Sequence, residues 1–387
     1  MSCPSRGTPW SRAAIAMLGA AAALLMSGCG GGGGSEASSS VASTLPASPA
    51  SPAPASAPSP SAGPASAPAA PVPASAPSVP AAPASAPSTA PAATADAAAA
   101  AIATANSSSN ACNAIRPFYW EIGDAGGALA SGSVNNSDAT TVYAADTRMS
   151  IASASKWFYS TYFVQRTRGA LSASDVKFFN FQSGYTSRGF SCLPTQTVQE
   201  CVDLGSNGIY NADDDGAFAY GGAHMEKHAS LNGLGGLNNT MLAAEIRSQV
   251  GNEIDLAYSA PQLAGGMVLS AIDYAAMLRK VLRGDLKMRD TLGTHPVCTN
   301  PRTCANAANA PSPPGESWHY SIGHWVEDDP EVGDGAFSSP GAFGFYPWID
   351  RTKTNYGVLA RSAASGAIDS VYCGRLIRKA WATATPQ

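Results

Sequence analysis

Residues 36–105 contain no aromatic side chain and only two charged ones, Glu36 and Asp96, yet they hold 15 of the 29 prolines. The segment PASAP recurs there at 54–58, 64–68, 73–77 and 83–87. A Pro/Ala/Ser repeat of this kind favours extended polyproline II at about 3.1 Å per residue and has too little apolar surface to close a core. With the glycine run at 30–34, it marks a linker over 29–110 that can reach on the order of 100–200 Å. Folding is thereby confined to 111–387. From residue 106 onward the chain keeps the whole net charge of −4, and about 16% of its residues are charged, against roughly 25% in ordinary globular chains. A body of this length can bury a substantial core as one domain. It carries no basic stripe, which argues against nucleic-acid recognition.

Ahead of the linker, Arg6 and Arg12 precede an apolar run at 13–26, followed by Ser27, Gly28 and Cys29. A basic start, a short apolar stretch and small residues before a cut site read as a secretory signal over 1–28. The run is too short and too alanine-rich for a membrane span. The segment LLMSGC resembles the lipobox of bacterial lipoproteins, with Met26 where Leu is commoner. That resemblance implies lipidation of Cys29, a membrane partner for the N-terminus, and residence in a bacterial cell envelope. Gly30, in place of the Asp associated with inner-membrane retention, favours the outer membrane, facing the periplasm or the surface.

Six cysteines remain in the body: Cys112, Cys192, Cys201, Cys298, Cys304 and Cys373. An even number in an exported chain reads as disulfides, for which 15 connectivities exist. The short separations Cys192–Cys201 and Cys298–Cys304 favour local bridges, leaving Cys112 and Cys373 to tie the start of the domain to its end. No CxxC or CxH spacing suggests a metal cage, so neither metal nor cofactor is expected. Strand signals lie at 116–124 and 140–153, with a turn region at GSVNN between early strands, and again at 318–327, 341–350 and 355–362. Helices are expected over 153–168, 271–282 and 367–380. Strands at both chain ends around a helical middle imply an α+β fold with one antiparallel sheet built from both ends.

Three separated segments carry the chemistry. SASK at 153–156 sets Ser153 and Lys156 three apart, on one face of an opening helix. Serine needs a neighbouring base to become nucleophilic, and a desolvated lysine can serve. The same spacing in SDVK at 174–177 lies in a polar stretch without that context. GAFAYGGAHMEKHA at 216–229 and SSPGAFGFYPWID at 338–350 follow, with an AGG lead-in at 264–266 between them. In order and spacing this set resembles the β-lactamase-like serine hydrolases: class C β-lactamases, DD-peptidases and related esterases. The resemblance spans about 112–383 and implies the β-lactamase/transpeptidase-like fold.

It further implies Ser153 as acylating nucleophile, Lys156 as its base, Tyr220 as proton shuttle to the leaving group, and the N–H groups of Ser153 and Ala342 as oxyanion hole. Gly222, Ser339 and Gly341 fall at substrate-binding positions. Pro340 is expected at a sheet edge, where a groove would open. Gly222 replaces an amide-bearing Asn common among relatives, and Ser339 replaces the usual Lys or His. Loss of that cation weakens recognition of a substrate carboxylate and points to a small, neutral acyl substrate, an ester or amide. The same departures leave a second reading open, a catalytically silent envelope-binding module. His224 and His228 have no third metal ligand nearby in sequence and read as core or surface histidines. Trp157, Trp318, Trp325 and Trp348 read as core, with an apolar cleft as the alternative. The acidic run 213–215 reads as a solvated loop. No GxSxG elbow appears, which argues against an α/β-hydrolase.

Overall fold

The computed structural model describes residues 92–136, 140–187 and 191–387. The signal segment, Cys29 and the linker as far as residue 91 lie outside these. Nine helices occur among the described residues. They are α1 (Ala92–Asn106), α2 (Ser155–Arg166), α3 (Ala173–Phe179), α4 (Val198–Val202) and α5 (Ala223–Ala229). The others are α6 (Asn239–Val250), α7 (Ala271–Arg283), α8 (Met288–Thr291) and α9 (Ala367–Thr383). The first strands are β1 (Phe118–Asp124), β2 (Ala128–Val134), β3 (Met149–Ser150), β4 (Phe218–Ala219), β5 (Ala257–Tyr258) and β6 (Met267–Leu269). Next come β7 (Val297–Cys298), β8 (Ala307–Asn309), β9 (His319–Ser321) and β10 (His324–Glu327). Last are β11 (Ala336–Ser338), β12 (Tyr346–Ile349) and β13 (Asn355–Ala360).

The principal sheet has the order β2-β1-β13-β12-β11-β10-β9-β7, and its neighbours pair antiparallel. Strands from the two chain ends meet at β1 and β13, where Trp120 faces Leu359 and Ile122 faces Gly357. Consecutive strand residues point to opposite faces, so Tyr356 and Gly357 identify the two layers. Tyr356 accepts a hydrogen bond from Arg279 of α7 at 2.9 Å. On the other face, the ring of Trp348 fills the space where Gly357 lacks a Cβ and lies against Gly374 of α9. The sheet is thus covered on both faces, which explains why β1 is buried from Phe118 through Gly123.

Helix α1 moves the folded body upstream of the expected boundary at 111. No proline follows Pro91 until Pro117, and alanine has the highest helix propensity. Ala97, Ala100, Ala101 and Ala105 are buried, where α1 packs against α9 and β2. The segment at 140–153 also departs from expectation: only Met149–Ser150 is strand. GSVNN is not the early turn, because Val134 ends β2 and the β1–β2 reversal falls at 125–127. The stretch 318–327 is a hairpin rather than one strand, reversing at Ile322 and Gly323, both at positive φ. Likewise β12 begins only at Tyr346, and the preceding GAFG residues form a turn. Pro340 follows β11, an interior strand of the sheet, so the expected sheet-edge position for it does not hold.

The cysteines pair as Cys112–Cys373, Cys192–Cys201 and Cys298–Cys304. Between the two arms of the sheet, α2 to α6 form the helical region. Side-chain caps set several helix starts: Ser172 and Thr197 close capping boxes with Asp175 and Glu200, Asn238 caps α6, and Ser270 caps α7 beyond this region. No described helix is long and apolar enough to cross a membrane.

Candidate active site

Ser153 lies in a single 3-10 turn, Ala152–Ala154, between β3 and α2. Ala152 before it has φ +44°, a left-handed conformation that costs a residue with a Cβ about 1–3 kcal/mol and persists only where its surroundings enforce it. The surroundings here do so atom by atom. The N–H of Ile151 donates to the Met267 carbonyl at 3.1 Å. Ser155 Oγ donates to the Ala152 carbonyl at 2.6 Å, and the Tyr274 hydroxyl to the Ala154 carbonyl at 2.9 Å. Ser339 Oγ donates to the carbonyl of Ser153 itself at 3.1 Å.

That last bond revises the reading of Ser339 as a substrate contact. Its side chain is turned away from the cavity and, at 2% exposure, braces the nucleophile's backbone. Gly341 likewise serves the turn rather than the cavity wall. A Cβ there would collide with the carbonyl oxygen of Ile151, so only glycine lets the third motif approach this closely. The neighbouring Ala342 is exposed. Among the described residues neither Ser153 N nor Ala342 N donates to a protein acceptor.

Lys156 lies one turn along α2, its Nζ donating to Ser153 Oγ at 3.1 Å and to the Ala264 carbonyl at 2.8 Å. Burial pushes its pKa down to about 8, against the opposing pull of Glu226. The ammonium also sits over the ring of Tyr220, 4.9 Å from its centroid. Burial raises the Tyr220 phenol to about 12, while contacts with Ser153 and Trp325 pull it back in part.

An aromatic box fixes the Tyr220 ring. It stacks on Trp325 with centroids 5.3 Å apart and meets Phe181 and Tyr320 edge-on. Its peptide is clamped by Asn309, whose Oδ1 accepts from Tyr220 N at 3.0 Å and whose Nδ2 donates to Tyr220 O at 3.4 Å. The clamp exists because β4 and β8 pair in parallel and bring position 309 beside position 220.

Sequence reasoning passed over Glu226. It lies on α5 with its carboxylate fully buried, accepting from Leu263 N at 2.7 Å and Ala264 N at 2.9 Å. Burial raises its pKa to about 8 in spite of those two donors and of Lys156. The available signal was an acid flanked by buried positions on a short helix. Asn309 offered no comparable signal, since strand pairing alone brings it to the site. Trp325, read as core or cleft, is buried and stacks on Tyr220.

These groups open onto a cavity of about 590 Å³. Its wall includes Ser150, Ser153, Lys156, Ser187, Tyr220, Gly222, Glu226, Ser259, Gln262, Asn309 and Phe343. Gly222 therefore does line the cavity, whereas Ser339, Gly341 and Ala342 are not part of this wall. Among the described residues, Lys156 is the only lysine or arginine in it.

His224 and His228 do not converge on a common ligand. His224 bonds Ser183 Oγ at 2.7 Å and the Ala219 carbonyl at 2.9 Å, and burial lowers its pKa to about 4. His228 bridges the Tyr159 hydroxyl and Asp175 inside a cluster of Phe163, Phe178 and Phe179. In the acidic run, Asp215 pairs with Lys177, and Asp214 accepts from Thr186 and Asn211. Trp157, Trp318 and Trp348 are buried in the core.

Neither a protein-family model nor a curated protein sequence matches the chain. Solved structures do. EstCE1, a hydrolase with promiscuous acyltransferase activity, superposes with a TM-score of 0.50 at 13% identity, covering 75% of this chain and 97% of its own. An octameric penicillin-binding protein homologue from Pyrococcus abyssi gives 0.50 at 13% identity, covering 70% and 74%. A β-lactamase-like protein from Bacteroides dorei is 18% identical with a TM-score of 0.49, covering 69% and 92%. The fold is the α+β, β-lactamase/transpeptidase-like one.

Proposed function

We propose that this chain is a serine hydrolase that cleaves a neutral ester or amide through an acyl-enzyme on Ser153. The observation that carries the reading is the contact of Lys156 Nζ with Ser153 Oγ at 3.1 Å, made by a lysine whose burial brings its pKa down to about 8. A free amine is then accessible near neutral pH, and it can take the hydroxyl proton as Oγ attacks the acyl carbon. The tetrahedral oxyanion would accept from the N–H groups of Ser153 and Ala342, both without a protein acceptor among the described residues. On collapse, the bond to the leaving group breaks and the leaving oxygen or nitrogen takes a proton through Tyr220. Water repeats the sequence in reverse, releasing the acid and returning the proton to Ser153.

The wall chemistry supports an uncharged substrate. Hydroxyls and amides of Ser150, Ser187, Ser259, Gln262 and Asn309 line the cavity, and among the described residues its single basic side chain is Lys156, which is engaged with the nucleophile. With Ser339 turned onto the backbone of Ser153, the third motif offers no cation for a substrate carboxylate. Export and lipid anchoring at Cys29 belong to the same proposal, and the three cysteine pairs suit an oxidising envelope compartment.

The test is fluorophosphonate labelling together with turnover of a short-chain p-nitrophenyl ester by the full chain and by Ser153→Ala. Labelling and turnover are expected in the parent and lost in the variant, with little hydrolysis of an anionic β-lactam. A parent chain that neither labels nor turns over leaves the binding-module reading in its place.

A further inference from the structure

Glu226 is the one buried carboxylate among the described residues of the cavity wall, and nothing in the acylation scheme above uses it. Each carboxylate oxygen accepts one backbone N–H: Oε2 from Leu263 and Oε1 from Ala264. The carbonyl of that same Ala264 is the second acceptor of the Lys156 ammonium. The base of the turn at 261–266 is held by Gln262 N to Ala260 O at 2.7 Å, Gly266 N to Gln262 O at 2.8 Å and Ser259 N to Gly266 O at 2.8 Å. The Met267 N–H that follows donates to Ser155 Oγ of α2 at 3.3 Å. Its tip, Leu263 and Ala264, is instead gripped through its N–H groups from α5.

We propose that Glu226 is a positioning residue for Lys156: gripping two adjacent N–H groups, it aims the Ala264 carbonyl that anchors the lysine at hydrogen-bond distance from Ser153 Oγ. The inference rests on the reading of Ser153 and Lys156 as nucleophile and base. Two consequences follow from the geometry. A neutral amide of the same shape offers only one acceptor oxygen, and its NH2 would point at a backbone N–H, donor against donor. Burial raises Glu226 to about 8, so its charge develops over the same pH range in which Lys156 loses its proton, and there removing the acid removes a negative charge that favours protonated Lys156. The other titratable groups that sense this charge are Tyr159 on α2 and Tyr258 on β5, both held neutral by burial. Tyr220 and the neutral His224 lie beside Lys156 itself.

The experiment measures the rate of fluorophosphonate labelling of Ser153 against pH in the full chain and in Glu226→Gln and Glu226→Asp, each checked for a folded thermal transition. In the parent the rate should rise as Lys156 loses its proton. Glu226→Gln should label about tenfold or more slowly at its plateau, with the rising limb moved to lower pH by about one unit. Glu226→Asp keeps the charge but is too short to reach both N–H groups, so it should slow labelling and leave the limb near its parent position. If Glu226→Gln does not fold, slowed labelling with an unmoved limb in Glu226→Asp supports the inference, and a parent-like rate overturns it. A folded Glu226→Gln with the limb unmoved overturns it, whatever its rate, because a merely structural grip does not alter the proton affinity of Lys156. A parent that does not label at any pH removes the hydrolase reading and this inference with it. Labelling in the parent with Glu226→Gln indistinguishable removes this inference alone.

Discussion

Ser153 holds its hydroxyl on a turn whose carbonyls are engaged in succession by Ser155, Ser339 and Tyr274. With its carbonyls fixed in this way, the turn leaves the Ser153 N–H without a protein acceptor among the described residues. Gly341 is the most sensitive point of this construction, because the third motif touches the turn there through backbone alone. In Gly341→Ala the new methyl would meet the Ile151 carbonyl oxygen, and either the turn or the 340–345 loop must give way. Overpacking of this kind costs about 1–3 kcal/mol, and a displacement near 1 Å at a nucleophile costs about a hundredfold in rate. The expected outcome is a protein that still melts cooperatively, a few degrees lower, with acylation reduced about a hundredfold. Stopped-flow labelling beside a thermal melt checks it, and a variant with parent-like acylation would show that the turn does not depend on this contact. Ser153 and Lys156 were legible from sequence because a helix converts a spacing of three into contact. The true partner of Ser339 was not, since a serine at a ligand position gives no sign of which carbonyl it will find.

At the scale of elements, the site depends on pairings between segments far apart in sequence. The terminal strands and helices were readable from alternation and from uninterrupted apolar runs, and both sheet arms formed close to where those patterns lie. What failed was local: 140–148 has strand-forming residues but little partner backbone, and 318–327 has a continuous apolar pattern across a reversal set by Gly323. The parallel pairing of β4 with β8 was likewise invisible, because two- and three-residue strands carry no periodicity. Yet that pairing delivers Asn309 to the peptide of Tyr220. In Asn309→Ala the Tyr220 N–H loses its acceptor, an unmade bond worth about 1–3 kcal/mol where buried, and the phenol is freed to drift on Trp325. A proton-shuttle role makes the loss depend on the leaving group. An alkyl ester, whose alkoxide needs a proton, should slow at least tenfold, whereas a p-nitrophenyl ester, whose phenolate leaves unaided, should slow far less. Equal losses on the two esters would assign Asn309 to stability alone.

Across the whole described body, the segments at its two ends close on each other. Cys112 pairs with Cys373 across 261 residues, α1 lies on α9, and Asn110 Nδ2 donates to the Gln387 carbonyl at 3.0 Å. Helix α9 is locked in turn to the sheet by a buried charge cluster. Glu327 of β10, with no exposure, accepts from Arg378 at 2.8 Å, Arg375 at 3.0 Å and the Tyr346 hydroxyl at 2.5 Å. Burial alone would raise its pKa, but Arg378 and Arg375 outweigh it and hold it at about 2 against an ordinary 4.5. Breaking one side of such a pair leaves uncompensated buried charge and typically costs about 3–5 kcal/mol. Glu327→Gln should therefore lower stability by about that amount at pH 7 with the chemistry at Ser153 otherwise intact. The sign with pH follows from the depressed folded-state value. The carboxylate's contribution is fully present above the unfolded pKa near 4.5 and is lost as pH falls towards about 2. Urea melts of the parent and of Glu327→Gln should thus be far apart at pH 7 and converge between pH 4.5 and 2. A gap that stays constant over that range would mean that the cluster stabilises the fold by packing and hydrogen bonding, with no contribution from the charge on Glu327.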